Sequence, residues 1–183
     1  TPLYNTKIVD PNNNQLKPME VGEIVVEPKE NQYGIFMDYC GNSELYEKVW
    51  ANGVYHTGDT AYMDEDGYYW YVGSIDDLIK TRGFRVGPFE IENILMEHPA
   101  VLECAVVGVP DDSRGQAIKA TVKLAEGYEQ SKELRHELKK FVNKKVAEYK
   151  HIKYIEFIDE MPKTISGKIK RTDIREIDRN KIC

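Results

Sequence analysis

Cysteine is scarce in this 183-residue chain: Cys40, Cys104 and Cys183 are the whole complement. They are odd in number, widely spaced and include no CxxC pair, which speaks against a disulfide framework and a zinc site. Such usage fits a reducing, cytoplasmic setting. Long apolar runs are lacking too. Stretches such as Ala105-Val106-Val107 are too short for a membrane span, and no signal peptide can be read. Basic residues do not dominate: 31 Asp and Glu stand against 25 Lys and Arg, for a formal net charge of -6. That balance gives no reason to expect nucleic acid or an anionic membrane as the main partner. His56, His98, His136 and His151 show no metal-ligand spacing; His98 and His136 fall on predicted helices. Ser113, Ser131 and Ser166 have no evident His/Asp partner, so nucleophilic catalysis is unsupported.

What is present is a soluble, globular composition, 41% hydrophobic and 31% charged. The chain opens on Thr1, inside what reads as a hairpin (Tyr4 to Asp10, then the turn-rich Pro11 to Asn14), as expected of a piece of a longer protein. Lys7-Ile8-Val9 and Glu23 to Val26 are short β-prone runs. Tyr33 to Tyr46 reads as irregular, with room for a short helix. Thr60 to Met63 and Tyr68 to Val72 flank Asp64-Glu65-Asp66-Gly67, a hairpin signal. Residues 1–75 thus read as a small β unit. Beyond Gly73 the composition shifts. Pro88 to Glu97 is a helix candidate with Ile91, Ile94 and Leu95 on one face. Val101 to Val109 and Ala117 to Leu124 read as strands. Ser131 is a plausible N-cap for a helix to about Val146, with Leu134, Leu138, Phe141 and Val142 as its buried stripe. A strand over Tyr154 to Ile158 and a helix over Thr172 to Arg179 complete an α+β domain.

Three loop-like stretches concentrate Gly, Asp, Lys and Arg. In Tyr55-His56-Thr57-Gly58-Asp59 the glycine permits a tight turn that presents the Asp carboxylate, an acceptor suited to a vicinal diol; taken alone, the residues read as well as an ordinary turn, with His56 as a site neighbour. The stretch from Gly73 to Glu92 contains Asp76-Asp77 at the compositional boundary, a natural hinge. Its Lys80, Arg82 and Arg85 form a basic cluster suited to phosphate, and Gly83 and Gly87 allow close backbone approach; solvated surface charges around a turn are the bland alternative. Pro162 to Arg171, with Pro162 and Gly167, reads as a flexible loop that carries Lys168. It is not a Walker phosphate loop, because the GxxxxGK[ST] spacing is missing. Alone it reads as a basic surface loop.

In their order and spacing the three stretches resemble the C-terminal motifs of the adenylate-forming (AMP-binding) superfamily. Gly87-Pro88-Phe89-Glu90-Ile91-Glu92-Asn93, Glu97-His98-Pro99-Ala100-Val101 and Val106-Val107-Gly108-Val109-Pro110-Asp111 are most similar to acetyl- and medium-chain acyl-CoA synthetases. The resemblance implies a β-rich end of a large domain over 1–75 and a mobile α+β lid with a small sheet and flanking helices over 76–183, hinged at Asp76. It implies that Asp59 binds the ribose of ATP or AMP and that Lys168 is the catalytic lysine. Arg85 would lie near the adenylate or CoA phosphates, Gly83 would line the pantetheine path, and Arg114 would contact CoA. The substrates implied are a carboxylic acid, ATP and CoA, with Mg2+ carried by ATP and bound mainly outside this chain. One departure stands out: the family commonly has Gly-Arg where this chain has Gly73-Ser74, and Ser cannot supply the cation. The other readings are a non-catalytic binding module with this fold and an adenylation domain that loads a carrier protein.

Overall fold

The β-prone runs of the first half pair in sequence order. β1 (Asn5–Val9), β2 (Gly22–Glu27), β3 (Tyr55–Met63) and β4 (Tyr69–Ser74) form an antiparallel sheet in the order β1-β2-β3-β4. Ile8, Val9, Val25 and Ala61 are its buried hydrophobic residues. The Asp64 to Gly67 turn forms as its sequence suggests. The Asp64 carboxylate accepts the Asp66 and Tyr68 amides and the Trp70 indole N–H, which lowers its pKa, and Gly67 takes φ +85°. Helix α1 (Ser43–Val49) is capped by the Asn42 side chain, which accepts the Leu45 amide at 3.1 Å. The computed structural model describes residues 4–28, 36 and 39–182, the side chains of 178–182 excepted. Tyr33, Gly34, Ile35, Met37 and Asp38 of the irregular stretch read from Tyr33 therefore lie outside the described residues.

The chain divides into two compact units, residues 1–76 and 77–183. The second contains β5 (Ile79–Thr81), β6 (Phe84–Val86), α2 (Pro88–Met96), β7 (Val101–Asp111), β8 (Gly115–Leu124), α3 (Lys132–Asn143), β9 (Ile152–Phe157) and α4 (Arg171–Ile182). Strand β8 is the axis of a five-stranded sheet. It pairs antiparallel with β7 along one side and with β9 in parallel and β5 on the other; β6 lies beyond β5. The continuous apolar run from Cys104 to Val107 follows from burial on both faces. Val106 joins Ile79, Ile118, Ile91, Leu95, Leu134 and Leu138 beneath α2 and α3. Ala105 and Val107 join Met161 and Ile174 beneath α4. Ser131 caps α3 as expected, its hydroxyl accepting the Leu134 amide at 3.0 Å.

The structure differs from the sequence reading at several points. The Ile79–Thr81 and Phe84–Val86 strands were not anticipated. Their two-residue connection places Arg82 at φ +50° and Gly83 at φ +83°, the sign pattern of a primed hairpin turn. Arginine is an unusual first residue for such a turn, which hid it. Helix α2 ends at Met96, so His98 lies beyond it; His98 is buried, and its Nε2 is 3.4 Å from Glu137 on α3. Helix α3 ends at Asn143, short of Val146.

Candidate functional site

Asp59 lies within strand β3 and not in a tight turn after it. The pairing of β2 with β3 jumps from Val25↔His56 to Glu23↔Thr60, so Thr57, Gly58 and Asp59 bulge opposite Ile24. Gly58 sits at φ +74°, and the Thr57 hydroxyl donates to the Ile24 carbonyl at 2.7 Å. Glu23 fastens the bulge from the neighbouring strand. One carboxylate oxygen accepts the Gly58 amide at 3.0 Å and the other lies 2.9 Å from His56 Nδ1. Ser74 fastens it from the other side, donating its hydroxyl to the Gly58 carbonyl at 3.2 Å, directly across from Asp59 on β4. Ser74 thus takes a structural part in presenting Asp59. Among the described residues, the Asp59 carboxylate has no hydrogen-bond or ion-pair partner and remains partly exposed.

Asp76 is the middle residue of a 3-10 turn, Ile75–Asp77, and is exposed. The second unit begins at the next residue. Gly83 occupies the β5–β6 turn, and Arg85 is exposed on β6 opposite Lys80. Arg114 sits in the β7–β8 turn, and the two turns are joined: the Arg82 amide donates to the Arg114 carbonyl at 2.9 Å. Gly83 and Arg114, far apart in sequence, are thereby brought to the same end of the sheet. Asp111 builds the second of these turns. Its carboxylate accepts the Ser113 amide and hydroxyl at 3.1 and 2.7 Å and pairs with Lys153 on β9. The Lys153 ammonium, then Ser113, hold the Asp111 carboxyl down at about 2.

Lys168 is on a hydrogen-bonded hairpin and not on a flexible loop. Lys163 and Ile169 form an antiparallel bridge, and the Lys170 amide donates to the Pro162 carbonyl at 2.9 Å. Inside it, the Thr164 amide donates to the Lys168 carbonyl at 2.8 Å, and the Lys168 amide donates to the Thr164 hydroxyl at 3.0 Å. Gly167 supplies φ +84°. Buried Met161 and half-buried Ile169 root the hairpin in the core beneath α4. Its flanking lysines are engaged: Lys163 with Glu103 at 2.7 Å and Lys170 with Asp173 at 3.5 Å. Lys168 is exposed and has no ion-pair partner among the described residues. Its anchor at Glu103 is near the start of β7, whereas the Arg114 turn closes the far end. At about 3.3 Å per residue, the strand from Glu103 to Asp111 puts these anchor points some 25 Å apart. The unit therefore carries two separate candidate surfaces.

Sequence reasoning overlooked Glu92. It is buried on α2, accepts the Val106 amide at 2.8 Å, and receives Arg171 Nη2 on both oxygens at 2.8 Å. The signal was available. Pro88, Ile91, Glu92 and Leu95 are the buried residues of α2, and a carboxylate on that stripe requires a partner. Among the described residues, no group of three or more His, Cys, Asp or Glu side chains is placed to hold a metal ion.

Residues 90–168 match the model of the AMP-binding enzyme C-terminal domain. Over that segment the chain is similar to the adenylate-forming, AMP-binding enzymes. Among relatives of this family, it is 46% identical over 181 residues to 4-hydroxybutyrate--CoA ligase 1 of Metallosphaera sedula, covering 98% of the chain and 32% of that protein. It is 42% identical over 180 residues to the acetyl-coenzyme A synthetase of Bacillus subtilis, covering 98% of the chain and 31% of that protein. Among adenylate-forming enzymes of known structure, an anthranilate CoA ligase in complex with anthranoyl-AMP matches with a TM-score of 0.84 at 36% identity, covering 95% of the chain and 33% of that protein. The benzoate CoA ligase of Burkholderia xenovorans matches with a TM-score of 0.80 at 32% identity, covering 95% and 34%. The chain thus spans about a third of the length of the relatives it matches.

Proposed function

We propose that this chain is the C-terminal third of an AMP-forming acyl-CoA synthetase and that Lys168 is its adenylation lysine. The supporting observation is the state of the three hairpin lysines. Lys163 and Lys170 are spent on carboxylates, while Lys168 is held out on a rigid turn with its ammonium available. In the first step a carboxylate oxygen attacks the α-phosphorus of ATP and pyrophosphate leaves, giving an acyl-adenylate. Two anions must meet, and charge grows on the α-phosphoryl oxygens. A preorganised ammonium between them both orients and stabilises. The thiol of CoA then attacks the acyl carbon, the C–O bond to AMP breaks, and the thiol proton is lost to solvent or base. Asp59 accepts hydrogen bonds from the ribose hydroxyls of the nucleotide. Arg85 faces phosphate, Gly83 leaves room for the pantetheine arm, and Arg114 contacts CoA.

Asp76 is the hinge in this reading, between a first body over 1–75 and a mobile one over 76–183. The wide separation of the Lys168 and Gly83–Arg114 anchor points favours it, since one reacting centre cannot meet both surfaces at once. Rotation at Asp76 exchanges them between the half-reactions. Mg2+ accompanies ATP and is held mainly outside this chain. The free thiols Cys40 and Cys104 suit a reducing compartment, which we take to be the cytoplasm. Ser74 is accounted for by its bond to the Gly58 carbonyl, which removes its support for a non-catalytic module.

The test is AMP formation. The longer enzyme, screened with carboxylic acids, ATP and CoA, is expected to release AMP with at least one acid. The 183-residue chain alone is expected to show no ATP–pyrophosphate exchange with the same acid. Exchange by the isolated chain, or a longer protein that releases ADP, contradicts the proposal.

A further inference from the structure

Glu92 is a buried carboxylate that the two proposed half-reactions do not use. Its contacts reach three residues. Its Oε1 takes the Val106 amide from the outer edge of β7, and its own backbone carbonyl lies 3.5 Å from Cys104 Sγ. Both carboxylate oxygens take Arg171 Nη2 at 2.8 Å. Arg171 is the first residue of α4 and directly follows the Lys168 hairpin. Its other terminal nitrogen, Nη1, lies 3.4 Å from Asp77 Oδ2, and Arg175, one helical turn on, reaches Asp77 Oδ1 at 3.3 Å. Asp77 is the first residue of the second unit. The foot of the lysine hairpin and the start of the unit are therefore tied to a single buried carboxylate on the sheet edge.

We infer that Glu92, acting through Arg171 and Asp77, is the positioning residue for Lys168. The alternative is that the cluster merely neutralises a buried charge. Burial alone does not explain its connectivity. A buried acid needs one cation and its hydrogen bonds, whereas here the cation continues to a second carboxylate, and that carboxylate takes a second arginine. The chain of contacts makes the first residues of the unit and the lysine hairpin one rigid piece. Displacement of the segment at Asp77 is then carried to Lys168 without slack. A misplacement of about 1 Å at a reacting group costs on the order of a hundredfold in rate, so stiffness here has a use. The catalytic consequence rests on the reading of Lys168 given above; the mechanical claim does not.

The experiment has two arms. In the first, backbone amide exchange is measured on the 183-residue chain with Glu92→Gln, which keeps the shape and removes the charge. The Gly167, Lys168 and Lys170 amides are expected to exchange about tenfold faster, with the β7–β8 ladder unchanged. Unchanged exchange in the hairpin, or an equal rise in hairpin and ladder, overturns the clamp. Should Glu92→Gln fail to fold, Asp77→Asn at the partly exposed end of the network gives the same readout. In the second arm, the longer enzyme carrying Glu92→Gln is assayed for each half-reaction. The adenylation kcat is expected to fall about tenfold or more, with KM for acid and ATP little changed and thioester formation from supplied acyl-adenylate retained. Loosened hairpin exchange with equal loss of both half-reactions leaves the clamp standing and removes the catalytic assignment of Lys168. Retained adenylation despite a loosened hairpin overturns the positioning role.

Discussion

Lys168 owes its availability to neighbours as much as to its own position. Two lysines on the same hairpin are consumed by Glu103 and Asp173, and hydrogen bonds from Thr164 and Gly167 fix the turn. Asp111 shows the opposite arrangement, a carboxylate fully committed to Ser113 and Lys153. Its carboxyl is held down at about 2, below the ordinary carboxylate value near 4. A depressed folded-state pKa contributes stability that is present above the unfolded value and is lost as pH falls toward the folded one. Stability of the second unit should therefore decline between about pH 4 and pH 2, partly through this group. Asp111→Asn should flatten that limb in an acid titration of the unfolding midpoint, and an unchanged limb contradicts it. Cys104 behaves differently again: burial, then the nearby Glu92 charge, pushes its thiol up to about 12. It should stay unmodified under mild alkylation while exposed Cys40 reacts.

At the scale of elements, the strongly patterned pieces were legible in sequence and the special backbone was not. Helix α3 followed from Ser131 and the Leu134, Leu138 and Val142 spacing. Strands β7 and β8 followed from the β-prone runs Val101 to Val109 and Ala117 to Leu124. The bulge at Thr57 to Asp59 was read as a turn, because its irregularity comes from side chains on two neighbouring strands, Glu23 and Ser74, that no local pattern connects. The β5–β6 hairpin was missed because Arg82 occupies a left-handed position that Asn or Gly normally takes. Glu92 was passed over because it interrupts an otherwise apolar stripe, and its partner Arg171 is 79 residues away. The β5–β6 turn is itself testable. A methyl group at Gly83 meets nothing within 4 Å, so only the backbone, at φ +83°, resists it. Gly83→Ala should cost about 1 kcal/mol in denaturant unfolding, with an unchanged m-value. A neutral result would show that the turn relaxes freely.

For the whole molecule, the proposed function gives this chain the parts that a two-step enzyme would move. It spans about a third of the length of its relatives. Asp59 belongs to the first compact unit; Gly83, Arg85, Arg114 and Lys168 belong to the second, on surfaces anchored at opposite ends of β7. In sequence, the shift in composition after Gly73 suggested a boundary near Asp76, and the three motifs fell on both sides of it. What the sequence could not convey was that Lys168 stands on a stiff hairpin tied to Glu92, since that depends on contacts across the sheet. The central claim is that Lys168 serves one half-reaction and must withdraw for the other. The most direct measurement compares the two half-reactions in the longer enzyme carrying Lys168→Ala. Acyl-adenylate formation should fall on the order of 10²–10³-fold, while thioester formation from supplied acyl-adenylate and CoA proceeds at close to the parent rate. Equal loss of both steps would contradict the account.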